Sequence, residues 1–462
     1  MKKGLIGRLS DFLLGGEEEE EGEKQVDSGT ENEQKEEEET LSWLEAAEFK
    51  EQFPALAAFY KSTRKQSKHK KQDNTAKRME EEVPEAEMHG HLGVGKGWAA
   101  PLLVTYCEEE ARPGYKSMKA HEYVDEPATL NLKIATLARL LRSAQHCVAY
   151  TGAGISTSSG INDYASKSAA SKATGKEAVG RQRSSGGLDA EPTFAHYTLA
   201  ALHRAGCLKH WVQQNHDGLP QKAGFPQHAI NEIHGAWFDP SNPVVPMSGS
   251  LRTDLFNWML EEEQAADLTL TMGTSLCGMN ADRMVSTPAK KAVRKGQGLG
   301  SVIIGYQRTQ LDRLASLRIF GNIDQVMFLL ALHMRLDVRV QPYRPKVLEE
   351  ALVEGQPHVF RVPYATKSQN GKRLKEGSTP QLWDLSVGAK LKLTGGPGAG
   401  FEGTVVRTPD MEGARDYSYS VKFPCTREGA ALGKFEQVYA LGTWFIEAAC
   451  KGELSQLPVI NR

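Results

Sequence analysis

Two hydrophobic patterns alternate through the middle of the chain: apolar residues at helical spacing, then short unbroken apolar runs. Leu130, Ile134, Leu137, Leu140 and Leu141 share one helical face, which predicts an amphipathic helix. The run from His146 to Thr151 that follows is β-prone and predicts a buried strand. Pro192-Thr193 opens a second helix through Phe194, Leu199 and Leu202, and Trp211 to Asn215 reads as the next strand. Leu268 to Met272 and Ser301 to Gly305 predict two more. This alternation predicts an α/β fold with a Rossmann-like, doubly wound parallel sheet. Several of these strands end in glycine or polar residues, at the carboxyl edge where such sheets hold ligands.

The pattern changes on either side of that core. Upstream, Glu17 to Glu21 and Glu36 to Glu39 form an acidic tract, and Lys61, Arg64, Lys65, Lys68, Lys70 and Lys71 form a basic one. Such polar tracts bury too little apolar surface to offset the entropy of ordering, so residues 1–97 are expected to be disordered apart from one short amphipathic helix at about 41–61. Downstream of Pro342 and Pro345, Val387 to Thr394 alternates, Gly395 to Gly400 turns, Gly403 to Val406 alternates again and Ser418 to Phe423 follows as a strand. These segments predict a small antiparallel barrel of the SH3-like or KOW type at 383–450, between a linker at 346–382 and a tail at 451–462. Such a barrel binds protein or RNA, or packs on the core. The core itself is expected to occupy 98–345.

Composition narrows the setting. The chain has 462 residues, too many for one typical domain, and a formal net charge of −2 argues against a protein that coats nucleic acid. Its 6 cysteines lie far apart with no C-x-x-C pair, which points to a reducing intracellular compartment, cytoplasmic or nuclear, and against a structural metal. No apolar stretch approaches the length of a membrane span, so no membrane partner is expected.

The chemistry begins where the first strand ends. Gly152-Ala153-Gly154-Ile155-Ser156 lets backbone N–H groups approach a phosphate, but its spacing is not G-x-G-x-x-G, and alone it is equally a tight strand-to-helix turn. Its company changes the balance: Ser159-Gly160-Ile161-Asn162-Asp163-Tyr164, then Gln214-Asn215-His216-Asp217, then His234-Gly235, then Gly273-Thr274-Ser275. In this order the motifs resemble the sirtuin family of NAD-dependent protein deacylases, over roughly Leu130 to Met334. The resemblance implies NAD as cofactor, with Gly152, Ala153 and Gly154 along the phosphates and Gly273, Thr274 and Ser275 on the neighbouring strand. It implies that Asn215 and Asp217, with Gln214 beside them and Asp163 close by, hold the nicotinamide amide and its ribose, Asn215 also serving catalysis. Tyr164 keeps the aromatic that guards that ribose. His234 matches the family's general base, which acts on a ribose hydroxyl after the acyl-lysine oxygen has displaced nicotinamide. His196, near a helix start, is expected to be structural.

Three departures stand out. Ala165 replaces an arginine that helps hold NAD, and Arg181 or Arg183 on the following loop are candidates to substitute for it. His216 and Pro220 stand where the family has isoleucine and histidine. Between His234 and Val244 the two cysteine pairs of a zinc module are missing, so no metal is expected, and Trp237 and Phe238 are left to fill the gap. An NAD-dependent deacylase acting on acylated lysine in a protein is therefore the leading reading. The alternatives are an NAD glycohydrolase or ADP-ribosyltransferase using the same pocket, or a non-enzymatic NAD-binding adaptor.

Overall fold

The computed structural model describes residues 78–79, 83–112, 118–163, 165–174, 187–246, 249–341, 343–344, 349–367, 371–375, 377–411, 417–424 and 436–462. The charged tracts, the helix expected at 41–61, and Tyr164, Arg181 and Arg183 lie outside them.

The first described elements correct the expectation of disorder up to residue 97. A short helix α1, Glu85–His89, precedes an antiparallel pair, β1 (Leu102–Thr105) and β2 (Glu122–Val124). Met79 and Met88 are buried with Tyr123 and Phe320, and Arg308 pairs with Glu87 at 2.5 Å. A few apolar anchors within a polar stretch thus hold this segment on the core. A buried ion pair between Lys133 and Asp125, 2.7 Å long, adds a second tie.

The core follows the predicted alternation. Helix α2 (Pro127–Ser143) starts with proline at its first position, where no N–H is needed, and buries Leu130, Ile134, Leu137 and Leu141. Strand β3 is Cys147–Thr151, α3 is Phe194–Arg204 and β4 is His210–Gln213. Then come α4 (Leu219–Lys222), β5 (Ile230–Glu232), α5 (Thr253–Ala265) and β6 (Leu268–Met272). Helix α6 (Arg283–Lys295), β7 (Gly300–Ile304), β8 (Leu317–Ile319) and α7 (Ile323–His333) complete it. The six strands pair in parallel in the order β5-β4-β3-β6-β7-β8. All five residues of β3, β6 and β7 are buried, as a sheet covered by helices on both faces requires. From β3 the chain runs outward to β4 and β5, then returns to place β6 on the other side of β3. That reversal is the topological switch point at which α/β sheets open a ligand crevice.

The C-terminal region is a second, antiparallel unit. It holds β9 (Leu352–Val353), β10 (Gln356–Val362), β11 (Gln381–Asp384), β12 (Lys390–Leu393), β13 (Glu402–Arg407), β14 (Ser418–Pro424) and β15 (Glu436–Gly442). Helix α8 (Trp444–Cys450) and β16 (Val459–Asn461) end it. Two boundaries are corrected. The expected linker at 346–382 contributes a three-stranded sheet whose Phe360 and Val362 are buried, and the expected tail supplies β16, paired to β12. The larger sheet runs β15-β14-β13-β12-β16.

This unit shares a core with the segment that follows His234. Phe238 is 1% exposed, and its ring centroid lies 5.0 Å from that of Trp444. Gly442 N donates to Phe238 O at 3.0 Å, Tyr343 Oη is 3.0 Å from Thr443 Oγ1, and Trp237 packs against the same cluster. Trp237 and Phe238 thus dock the second unit onto the segment after His234. Unfolding in urea, followed by tryptophan fluorescence and far-UV circular dichroism, is expected to give coincident transitions. Phe238→Ala should lower stability by about 3–5 kcal/mol; two separate transitions would contradict a shared core.

Candidate functional site

The carboxyl ends of β3 and β6 meet at two glycines. Gly154 N donates to Gly273 O at 2.8 Å, and a Cβ on Gly154 would fall 2.7 Å from Gly273 Cα. Gly273 has φ +63°, and a Cβ there would lie 2.4 Å from Ile155 N. Both positions therefore exclude a side chain because the two loops touch, whatever else they bind. From this contact the chain continues into a 3₁₀ turn, Ala153–Ser159, which buries Ile155, Ser156 and Thr157.

Beside this contact lies a cavity of about 730 Å³, within the roughly 300–1,000 Å³ of small-molecule sites. Ala153, Gly154, Asp163, Gln214, Asn215, His234, Gly273, Thr274 and Ser275 all line it, so most of the residues singled out in the sequence converge. Gly152 stands just behind, its carbonyl accepting from Asn215 Nδ2 at 3.2 Å.

Hydrogen bonds fix the polar groups. Asn215 Nδ2 also donates to Ser156 Oγ at 3.1 Å, and Ser156 Oγ donates to Asp217 Oδ2 at 2.7 Å. The other carboxylate oxygen of Asp217 accepts from Leu219 N at 3.1 Å. Asp217 is buried behind the wall with both oxygens engaged, and burial raises its pKa. Through Ser156 it holds Asn215 in place, and it is not among the residues that line the cavity. Gln214 Nε2 donates to Thr274 Oγ1 at 2.9 Å, binding the β4 edge to the β6 edge. Asp163 caps its own loop, accepting from Ser166 N at 2.9 Å and Ser166 Oγ at 3.0 Å.

His234 follows β5 and reaches the cavity from the far edge. Burial first, then the neighbouring charge of His216, lowers its pKa to about 4, while a hydrogen bond to the backbone of Gln214 acts the other way. Its Nε2 is buried and has no hydrogen-bond partner. A neutral imidazole on the cavity wall, with one ring nitrogen that has no partner, is equipped to take a proton. His196 instead completes a capping box with Thr193 at the start of α3, and burial lowers its pKa to about 3.

Three groups of residues escaped the sequence reading. Gly305, Tyr306, Asn322, Ile323 and Asp324 line the cavity from the ends of β7 and β8; the glycine closing the fourth predicted strand was the available signal. Glu122 and Arg112 enter from the segment before α2. Glu122 is buried, accepting from Thr105 Oγ1 at 2.8 Å, Ser171 Oγ at 2.5 Å and Lys172 N at 2.7 Å. It thereby holds the loop after Asp163, and burial raises its pKa. Gln307 Nε2 donates to Ala165 O at 3.1 Å, a second tether on that loop. Among the described residues no group of three or more His, Cys, Asp or Glu is placed to hold a metal ion.

A dinucleotide fits this arrangement: a glycine-bounded floor, amide and hydroxyl donors from two strand edges, and an imidazole with one unpartnered nitrogen at one end. The class is therefore that of an α/β protein with a nucleotide crevice at its switch point. No family model matches the chain. It is 30% identical over 283 residues to the NAD-dependent protein deacetylase sirtuin-7 of Rattus norvegicus, covering 52% of this chain and 69% of that protein. To the same protein of Homo sapiens it is 30% identical over 281 residues, covering 51% and 68%. The NAD-dependent protein deacetylase of Saccharolobus solfataricus is 28% identical over 225 residues, 39% of this chain and 88% of that one. A solved Sir2 enzyme structure is 22% identical at a TM-score of 0.36, covering 44% of this chain and 98% of the other. The chain belongs to the sirtuin family, and NAD is its co-substrate.

Gly154→Ala tests the floor. The added methyl group meets backbone, which cannot rotate away, so the loops must part. We expect NAD affinity, measured by calorimetry, to fall at least about tenfold, with a lowered melting temperature; wild-type affinity would show that the glycine contact is not needed for the site.

Proposed function

We propose that this protein removes acyl groups from lysine side chains of other proteins with NAD as co-substrate, releasing nicotinamide and an O-acyl ADP-ribose. The observation that carries this is the bare Nε2 of His234 on the wall that also presents Asn215 and the two glycine loops. In this reading, Ala153, Gly154, Gly273, Thr274 and Ser275 hold the dinucleotide through backbone and hydroxyl donors. Asn215, locked by Gly152 and Ser156, orients the nicotinamide end. His234 Nε2 accepts the proton of a ribose hydroxyl, a role its lowered pKa keeps open at neutral pH.

A lysine acceptor is favoured over water because the cavity is flanked by two peptide-like edges. Val245, Pro246, Gly249 and Leu251 lie on one side, and Gly278, Met279 and Asn280 on the other. An extended substrate backbone can hydrogen-bond between them. A glycohydrolase would need no such flanks. Among the described residues no cysteine is joined in a disulfide, in keeping with a reducing intracellular location, cytoplasmic or nuclear. Among the described residues no helix is long and apolar enough to cross a membrane.

Nicotinamide release from NAD is expected to depend on an acyl-lysine peptide, and His234→Ala should cut kcat at least about 100-fold while NAD affinity stays within a few-fold. Release without peptide would indicate the glycohydrolase instead. A separate expectation concerns pH. Because the base must be unprotonated and its pKa is lowered to about 4 from 6.5, kcat/KM should hold its plateau below 6.5 and decline only toward about 4. An acid limb centred at the ordinary histidine value would show that burial does not keep this imidazole neutral.

A further inference from the structure

Toward the amino edge of the parallel sheet, away from the strand ends that meet at the cavity, several parts of the chain form one exposed face. Residues 91–96 lie against the turn that leads into β8. His91 N donates to Ala315 O and Leu92 N to Ser316 O, both at 2.9 Å, and His91 Nε2 lies 3.0 Å from Arg313 O. Gly300, the first residue of β7, joins this turn to α6: a methyl group on it would fall 2.1 Å from Ser316 Oγ and 2.9 Å from Ala292 Cβ. The last turns of α6 thus run beside the turn at 312–316.

This face combines cations with aliphatic side chains. Lys96, Lys290, Arg294, Lys295 and Arg313 are exposed, and among the described residues none of them forms an ion pair. Leu92, Val94 and Val293 accompany them, exposed to 43%, 51% and 42%. The neighbouring acids are committed: Glu85 accepts from Gly95 N at 2.8 Å, and Asp312 is buried on Arg318 at 2.9 Å. Cations in the last turn of a helix complement its dipole, which accounts for Arg294 and Lys295. The dipole does not account for Arg313 and Lys96 on other segments, nor for the exposed aliphatic side chains among them.

The chain itself carries the complement. Glu36, Glu37, Glu38 and Glu39 are followed by Leu41, Trp43, Leu44 and Phe49, with Glu45 and Glu48 between. Acids and apolar side chains are mixed in this segment as cations and aliphatic side chains are mixed on the face. Residues 50–77 connect it to Arg78, a span of up to about 90 Å at roughly 3.3 Å per residue. Met79 shares a buried cluster with Met88 of α1, so the described chain starts next to residues 91–96.

We propose that residues 36–49 dock on this face, their carboxylates on Lys290, Arg294, Lys295 and Arg313 and their apolar side chains on Val293, Leu92 and Val94. Nucleic acid suits the face less well, because aliphatic side chains give bases no stacking platform and the chain's formal net charge is −2. The dock lies away from the cavity, so this inference stands apart from the functional reading above.

The test uses the full chain and a zero-length carbodiimide reagent, which joins carboxylates to amines in contact; linked peptides are read by mass spectrometry. Links from the acids at 36–48 to Lys96, Lys290 or Lys295 are expected at about 0.05 M salt, and should fall at least about fivefold at about 0.5 M. Arg294→Glu with Arg313→Glu leaves every amine in place and should cause a fall of similar size, with the far-UV circular dichroism unchanged. Adding Glu36→Lys, Glu37→Lys, Glu38→Lys and Glu39→Lys to that variant should restore contact, now read as links from positions 36–39 to position 294 or 313.

Absence of links in the wild type, or links that survive Arg294→Glu with Arg313→Glu, overturns the proposal. Mixing chains labelled with heavy nitrogen and unlabelled chains separates a second copy: links between labelled and unlabelled peptides would place the occupant on another molecule and also overturn it. So would binding of a short duplex DNA, read by fluorescence anisotropy, that Arg294→Glu with Arg313→Glu weakens and that reversing the charges at 36–39 leaves unchanged. That result would assign the face to nucleic acid.

Discussion

The contact between Gly154 and Gly273 is the constraint from which the site follows. Two adjacent parallel strands diverge at the switch point, and their loops would ordinarily splay apart there. A direct N–H to carbonyl bond of 2.8 Å between backbones without Cβ atoms closes them instead. The loops then form one continuous floor, and their remaining polar groups can turn toward the cavity. Gln214 on Thr274 extends the same closure one strand further, from β4 to β6. Rigid placement of this kind lets neutral donors bind a charged ligand, because little reorganisation is required when it arrives.

Electrostatics are arranged by burial more than by charge pairs. Asp217, Glu122 and Asp282 are all raised by desolvation first, yet each accepts hydrogen bonds from hydroxyl or backbone donors. They act as fasteners: Asp217 sets Asn215, Glu122 holds the loop after Asp163, and Asp282 gathers Gly278 and Met279. His234 experiences the same desolvation with the opposite result, since burial keeps an imidazole neutral and a carboxylate protonated. One buried environment thus keeps the imidazole neutral and fastens the loops around it.

How much of this was legible from the chain depended on sequence distance. The α/β alternation and the glycine, Gln214 to Asp217, His234 and Gly273 motifs were readable because each is local, a strand end with its own turn. The structure then brings them to one cavity. Arg112 and Glu122 were not readable: they precede the core and reach the cavity only through β1 and β2, whose pairing leaves no spacing signal. Polar composition also misled. It predicted disorder up to residue 97, whereas Met79, Met88 and their partners Tyr123 and Phe320 are enough to fasten that stretch. The boundaries of the C-terminal unit failed for a related reason, since Phe360 and Val459 become strand residues only through partners in another part of the chain.

The loop after His234 shows the same principle working over a longer range. A structural metal stabilises a small loop by tying distant side chains through one centre, and its binding energy becomes folding energy. Here the loop after His234 is short and keeps no such ligands among its residues. It is held by Phe238 against Trp444, by Gly442 N on Phe238 O, and by Arg252 Nη1 donating to Ser241 O at 2.9 Å. Apolar burial and backbone hydrogen bonding from the C-terminal unit hold this loop. Because His234 begins that loop, the antiparallel unit braces the segment that brings this imidazole to the cavity wall: displacing Phe238 would loosen it.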